Sequence, residues 1–166
     1  LKCTRHIVRK YEMLPSSIYL RDLVKEGNDP LWGGGYADIY KGQTANGNSA
    51  CLKVLRVFTT QESTKRLFKE FSKEVLVWSQ LDHPNVLPFL GINIDLFPGR
   101  FCLVSPWCSN GSIMNYLSMH PEADKMEIVS DILRGLRYLH TRHPLVVHGD
   151  LKGVRTNFLP ITFSSN

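Results

Sequence analysis

The chain has 166 residues, 43% of them apolar, with 20 Lys and Arg against 15 Asp and Glu for a net charge of +5. This suffices for one medium domain, or a small domain and part of another, around a real core. The basic excess is small, and outside Lys2, Arg5, Arg9 and Lys10 basic residues alternate with acidic ones, which speaks against nucleic acid as a partner; no apolar run is long enough for a transmembrane segment.

Cys3, Cys51, Cys102 and Cys108 show no C-x-x-C spacing, and two of them sit in apolar strand-like runs where free cysteine behaves as a small hydrophobe. That usage points to a reduced, cytoplasmic setting. The chain opens on Leu1 rather than methionine, so a preceding segment, with any targeting signal it carries, is expected.

In chain order, residues 1–28 read as a lead-in: an amphipathic start, the turn formers Pro15-Ser16-Ser17 and a short run Ile18-Tyr19-Leu20, before the loop Gly27-Asn28-Asp29-Pro30. The cluster Gly33-Gly34-Gly35 precedes Tyr36 to Gly42, whose alternation and aromatic content predict a strand. Asn46-Gly47 gives a hairpin turn, and Ser49 to Val57 the returning strand. From Glu62 to Leu81 the apolar positions Leu67, Phe68, Phe71, Val75, Trp78 and Leu81 recur at helical spacing, and Asp82-His83-Pro84-Asn85 ends the helix. Val86 to Ile94 and Phe101 to Trp107 read as strands flanking the turn Phe97-Pro98-Gly99-Arg100, completing a five-strand reading. Beyond Ser109-Asn110-Gly111, residues Ile113, Tyr116 and Leu117 mark a short helix. Ile128, Val129, Ile132, Leu133, Leu136 and Leu139 mark the apolar face of a longer one ending near His140. Strands first and helices later is an α+β order.

Taken singly, the chemistry-bearing residues say little. A glycine cluster suits any tight hairpin, and a strand lysine usually faces solvent. Period-two geometry, however, puts Lys53 on the face of Cys51 and opposite Leu52 and Val54. If the latter two face a core, Lys53 faces what lies beneath the glycine hairpin, where a cation and exposed backbone N–H groups suit a polyphosphate. Glu74 has like-charged Glu70 four residues before it, and apolar Phe71, Val77 and Trp78 at its other helical steps. With no local cation on its own face, its functional reading is an ion-pair partner for Lys53. Finally, His148-Gly149-Asp150-Leu151-Lys152 follows the long helix.

In this order and rough spacing, the glycine hairpin, strand lysine, helical glutamate, linker and His-x-Asp-Leu-Lys segment resemble the signature set of eukaryotic protein kinases, from about Asp29 to Gly153. The segments Gly33 to Gly42, Ala50 to Lys53, His83 to Gly91 and His148 to Gly153 look like the tyrosine-kinase-like and tyrosine kinase branch, most like kinases of mushroom-forming fungi. The resemblance implies a lead-in over 1–28, a partial kinase domain over 29–153 (small lobe and hinge 29–108, start of the large lobe 109–153) and a non-family tail over 154–166. The implied fold is α+β and protein kinase-like: a five-stranded antiparallel small lobe with one long helix, plus an incomplete, mainly helical large lobe.

The resemblance also implies ATP as ligand. With Mg2+, the full-length form would transfer the γ-phosphoryl group to a Ser/Thr or Tyr hydroxyl of a protein substrate in signalling. The hairpin of Gly33, Gly34, Gly35 and Ala37 would cover the phosphates, and Ile39 and Cys51 would cap the adenine. Lys53 would meet the α- and β-phosphates and pair with Glu74. Ser105 falls at the gatekeeper position, Pro106, Trp107 and Cys108 at the hinge. Asp150 would be the catalytic base and Lys152 would neutralise the γ-phosphate.

The sequence departs from that pattern in places. Trp32 and Ala37 stand where the first and third loop glycines belong, giving a bulkier hairpin expected to weaken ATP binding. Gly149 replaces an arginine. Arg155 occupies the magnesium-binding asparagine position, Asn157 lies two residues late, and no Asp-Phe-Gly follows, so the metal ligands are missing. A retained intron or misread exon boundary after Gly153 is the expected origin of the tail, and the fragment itself is expected to be inactive. Helices expected to cover the apolar face from Ile128 to Leu139 are missing too, so that face is expected to be exposed. The rival reading is a pseudokinase or nucleotide-binding interaction module without chemistry.

Overall fold

The turn at Asn46-Gly47 closes a ribbon of β3 (Ala37–Gln43) and β4 (Ser49–Leu55), with Gly47 N–H donating to Thr44 C=O at 2.8 Å and Thr44 N–H to Asn48 C=O at 2.9 Å. The computed structural model describes residues 14–35, 37–56 and 61–147, and for residues 61–67 and 70 the backbone alone. The chain divides into two compact units, Leu1–Ser79 with Phe89–Trp107, and Gln80–Pro88 with Cys108–Asn166.

In the first unit, β1 (Val24–Lys25), β2 (Trp32–Gly33), β3, β4, β5 (Gly91–Asn93) and β6 (Cys102–Pro106) form one antiparallel sheet of order β1-β3-β4-β6-β5, with β2 also on β3. This is one strand more than the five expected, and the register explains the count. Lys25 pairs with Gly42 and Trp32 with Ile39, so the six residues 26–31 on one side face only Tyr40 and Lys41 on the other. β1 and β2 are thus one edge strand split by a loop through Gly27 and Asp29, on the same partner.

Alternation along β4 sends Ala50, Leu52 and Val54 into a buried cluster with Leu23, Tyr40, Phe97, Cys102 and Val104. Burying side chains of this size stabilises the sheet by roughly 1.5–3 kcal/mol each. Cys102 is part of this packing, and burial pushes its thiol up to about 12, as befits a structural rather than reactive cysteine. On the other face runs α1 (Gln61–Trp78), which buries Phe71, Val75 and Trp78. Phe71 stacks on Phe101 with centroids 4.7 Å apart. The helix ends at Trp78, three residues short of the expected Leu81, which belongs to the second unit.

The expected strand over 86–94 shrinks to Gly91–Asn93. Pro88 has no N–H to give a ladder, and Val86 N–H instead closes a turn on His83 C=O at 3.0 Å. Here the lead-in meets the sheet: Leu20 N–H donates to Ile92 C=O at 2.8 Å. A Cβ on Gly91 would lie 2.6 Å from Ile18 C=O, so only glycine admits that close approach.

The second unit contains α2 (Ile113–Met119), capped by Ser112, and α3 (Lys125–His140), whose first-turn Met126 and Glu127 N–H groups donate to Asp124. Its core joins Val86, Ile113, Ile128 and Leu139, with Ile132 and Leu136 packed alongside. The expected apolar face of α3 is therefore split: Ile128 and Leu139 are buried, whereas Val129 and Leu133 are exposed beside Met126. Tyr138 tethers this helix, its hydroxyl accepting from Asp82 N–H at 2.9 Å and its ring stacking on His83. No helix among the described residues is long and apolar enough to cross a membrane.

Candidate functional site

The face of the sheet opposite the Leu52 cluster gathers the chemistry. Register pairs Ile39 with Lys53 and Lys53 with Leu103, while Lys41 pairs with Cys51 and Cys51 with Ser105. Two cross-strand rows result, Ile39–Lys53–Leu103 and Lys41–Cys51–Ser105, side by side. Four residues proposed from sequence, Ile39, Cys51, Lys53 and Ser105, thus share one surface.

Lys53 lies at the centre of that surface because Leu52 and Val54 are committed to the core on either side. Glu74 reaches it from α1. Lys53 Nζ donates to Glu74 Oε1 at 3.1 Å, with side chains 26% and 16% exposed. The pair is half-shielded from water and links sheet to helix across 21 positions of sequence.

Next to Ile39, at the end of the sheet, the glycine hairpin joins β2 to β3, closed by Gly34 N–H donating to Ala37 C=O at 2.9 Å. Gly34 and Gly35 are exposed at its tip. Trp32, in place of a loop glycine, is not at the tip. It stands in β2 and stacks on Trp107 with centroids 5.8 Å apart and planes at 19°. Lys41 Nζ lies 5.8 Å from the Trp107 ring centre and 3.0 Å from Glu26 Oε2. Lys41 and Gln43 together hold the Glu26 carboxyl below the usual carboxylate range. Trp107 N–H donates to Ser49 C=O at 3.1 Å, so the ladder continues past Pro106.

Cys108 belongs to the second unit, where it is buried and its C=O accepts from Gly111 N–H at 3.0 Å. Asp150, Lys152 and Arg155 lie outside the described residues, as do Gly149 and Asn157. Among the described residues no group of three or more His, Cys, Asp or Glu is placed to hold a metal ion.

One ion cluster escaped the sequence reading. Asp38 is 7% exposed, and its carboxylate accepts from Arg56 and Arg100. The hydrogen bond from Arg56, then that from Arg100, holds its carboxyl below the usual range. The sequence signal was an acid in a slot that strand alternation assigns to the core, between Tyr40 and the hairpin.

A family model described as "Protein kinase domain" matches residues 28–159. The chain is 33% identical over 123 residues, 72% of its length and 9% of the relative's, to "Probable serine/threonine-protein kinase drkD" of Dictyostelium discoideum. It is 32% identical over 123 residues, again 72% of its length and 20% of the relative's, to "Serine/threonine-protein kinase STY46" of Arabidopsis thaliana. Over 142 residues, 83% of its length and 16% of the relative's, it is 28% identical to "Serine/threonine-protein kinase TNNI3K" of Mus musculus. The matched stretch spans less than a quarter of each of these curated relatives.

Proposed function

The chain belongs to the protein kinase family, and from that premise we propose that its first unit binds ATP on the Lys53 face as part of a protein phosphotransferase. The observation that carries this reading is the Lys53–Glu74 pair on the surface shared with Ile39, Cys51 and Ser105. Lys53 offers its ammonium to phosphate oxygens, and Glu74 restrains the flexible lysine stem so that less rotamer freedom is lost when phosphate arrives. Ile39 and Cys51 provide an apolar wall for a purine, bounded by Ser105 and the strand end at Pro106 and Trp107. Gly35, at the tip of the hairpin that Gly34 N–H closes, presents its backbone N–H to the phosphates.

In the full-length protein, Asp150 would take the proton of the acceptor hydroxyl and Lys152 would offset the charge on the γ-phosphate. Magnesium, when bound, would supply positive charge to offset that of the phosphates; among the described residues no group of three or more His, Cys, Asp or Glu is placed to hold it. The relatives named as serine/threonine kinases favour a serine or threonine acceptor. The branch reading, tyrosine-kinase-like, rests on the segments around Gly34, Lys53, His83 and His148, and a signalling role in the cytoplasm on the family and the cysteine usage.

Titration of ATP into the chain by calorimetry tests the site: Lys53→Ala should weaken binding, and equal affinities would sink the assignment. Trp32, Ala37 and Arg155 favour a second reading, a nucleotide-binding module without transfer. ATP bound by the full-length protein with neither ADP nor phosphoprotein formed would decide for it.

A further inference from the structure

β2 has two residues, and among the described residues the hairpin tip is closed by the hydrogen bond from Gly34 to Ala37. Directly below that bond, Gly33 and Asp38 are register partners. Asp38 turns to the face away from Lys53, where its strand neighbour Tyr40 is packed in the core.

The Asp38 carboxylate is fully engaged there. Oδ1 accepts from Arg56 Nε at 3.0 Å and Nη2 at 2.6 Å, and Oδ2 accepts from Arg100 Nη2 at 2.6 Å. Arg56 follows the end of β4 directly. Arg100 comes from the turn before β6, and its Nε donates to Leu55 C=O at 3.3 Å. A carboxylate with 7% exposure is tolerated because charged partners meet both oxygens.

The same guanidinium touches the other strand. A Cβ on Gly33 would come 3.0 Å from Arg56 Nη2 and 3.3 Å from Asp38 Oδ1. Arg56 therefore lies against both strands of the stem, and a side chain at Gly33 would have to push the guanidinium or the Asp38 carboxylate aside. The planar fork also fixes an angle that an apolar contact would leave free.

We infer that Asp38, Arg56 and Arg100 form a positioning clamp that sets the pitch of the glycine hairpin, whose tip Gly34 N–H closes on Ala37 C=O, and thereby the aim of the Gly35 N–H at the phosphates of the nucleotide. This rests on the ATP reading above. The clamp acts on the phosphates more than on the base: Ile39 follows Asp38 but is held by its register with Lys53 of β4, and Cys51 and Ser105 sit on β4 and β6, whose ladder runs from Val54–Cys102 to Ala50–Pro106.

The test separates these two ends of the ligand. The full chain and its Asp38→Asn, Gly33→Ala and Arg100→Met variants are titrated calorimetrically with adenosine, ADP and ATP. Each variant should weaken ADP and ATP by about tenfold, the scale at which a small misplacement of binding groups is felt, and leave adenosine within about twofold. Loss spread equally over all three ligands, or no loss on any, overturns the clamp. A wild-type chain that binds adenosine but gains nothing from phosphates overturns it as well, while leaving the base site standing. One that binds none of the three overturns the ATP reading and the clamp with it. Should Asp38→Asn fail to give the folded circular dichroism spectrum, Gly33→Ala, which leaves all three charges in place, carries the same expectation.

Discussion

Lys53 Nζ and Glu74 Oε1 meet at 3.1 Å between the sheet and α1, each side chain less than a third exposed. A pair so placed is shielded enough to couple and wet enough not to demand full desolvation. A double-mutant cycle of Lys53→Met and Glu74→Gln, read by urea denaturation, should give a coupling of about 1 kcal/mol that shrinks at high salt. A coupling of zero would show that the two side chains do not meet in solution.

Phe71 is buried at 2% exposure and stacks on Phe101 at 4.7 Å. Phe71→Ala should destabilise by roughly 3–5 kcal/mol, a large part of the ~5–15 kcal/mol that holds a whole domain. Phe71→Leu should cost less than half as much. Chemical denaturation that finds Phe71→Ala within about 1 kcal/mol of wild type would refute the packing described.

Acid should reach the protein through Asp38. Its folded carboxyl titrates below the ordinary aspartate value, through the bond from Arg56 and then that from Arg100. Stability from this group is therefore fully present above the unfolded value of about 3.9, and is lost as pH falls through the lower folded value. The gap between wild type and Asp38→Asn in urea midpoint should stay constant from about pH 7 to 5 and close below about pH 4. A gap that is unchanged in strong acid would mean the carboxylate is not held by the two guanidiniums.

The exposed part of α3, with Met126 at 75%, Val129 at 46% and Leu133 at 59% exposure, is an apolar stripe on a helix otherwise anchored by Ile128 and Leu139. Leu133→Gln should lower binding of a hydrophobic dye while changing stability by less than about 0.5 kcal/mol. A large loss of stability would show that Leu133 is buried after all.

The pairing of Lys53 with Glu74 could be foreseen because each residue broke a local pattern: a lysine framed by two core residues in a strand, an acid with no cation on its helix face. Elements with strong period were legible for the same reason, β3, β4, α1 and α3 among them. Over 86–94 the apolar content was correct for a strand, but Pro88 withholds a donor and Val86 spends its own in a turn, so only Gly91–Asn93 pairs. The division of the first strand into β1 and β2 depends on register against β3, which composition does not carry. The Asp38 cluster was hidden by distance, since Arg100 stands 62 residues away and reads locally as a turn residue.

Of the three tryptophans, Trp78 is buried beside Phe89, whereas Trp32 and Trp107 stack 5.8 Å apart. Two indoles this close couple electronically, and the circular dichroism of such a pair depends on both the distance and the angle between the rings. Trp32 directly precedes Gly33 in the hairpin, and Trp107 directly follows the last residue of β6. The ultraviolet signal of the pair therefore changes when hairpin and strand end shift against each other. The protein carries its own optical gauge, and a ligand that lifts or lowers the hairpin can be followed without attaching a label.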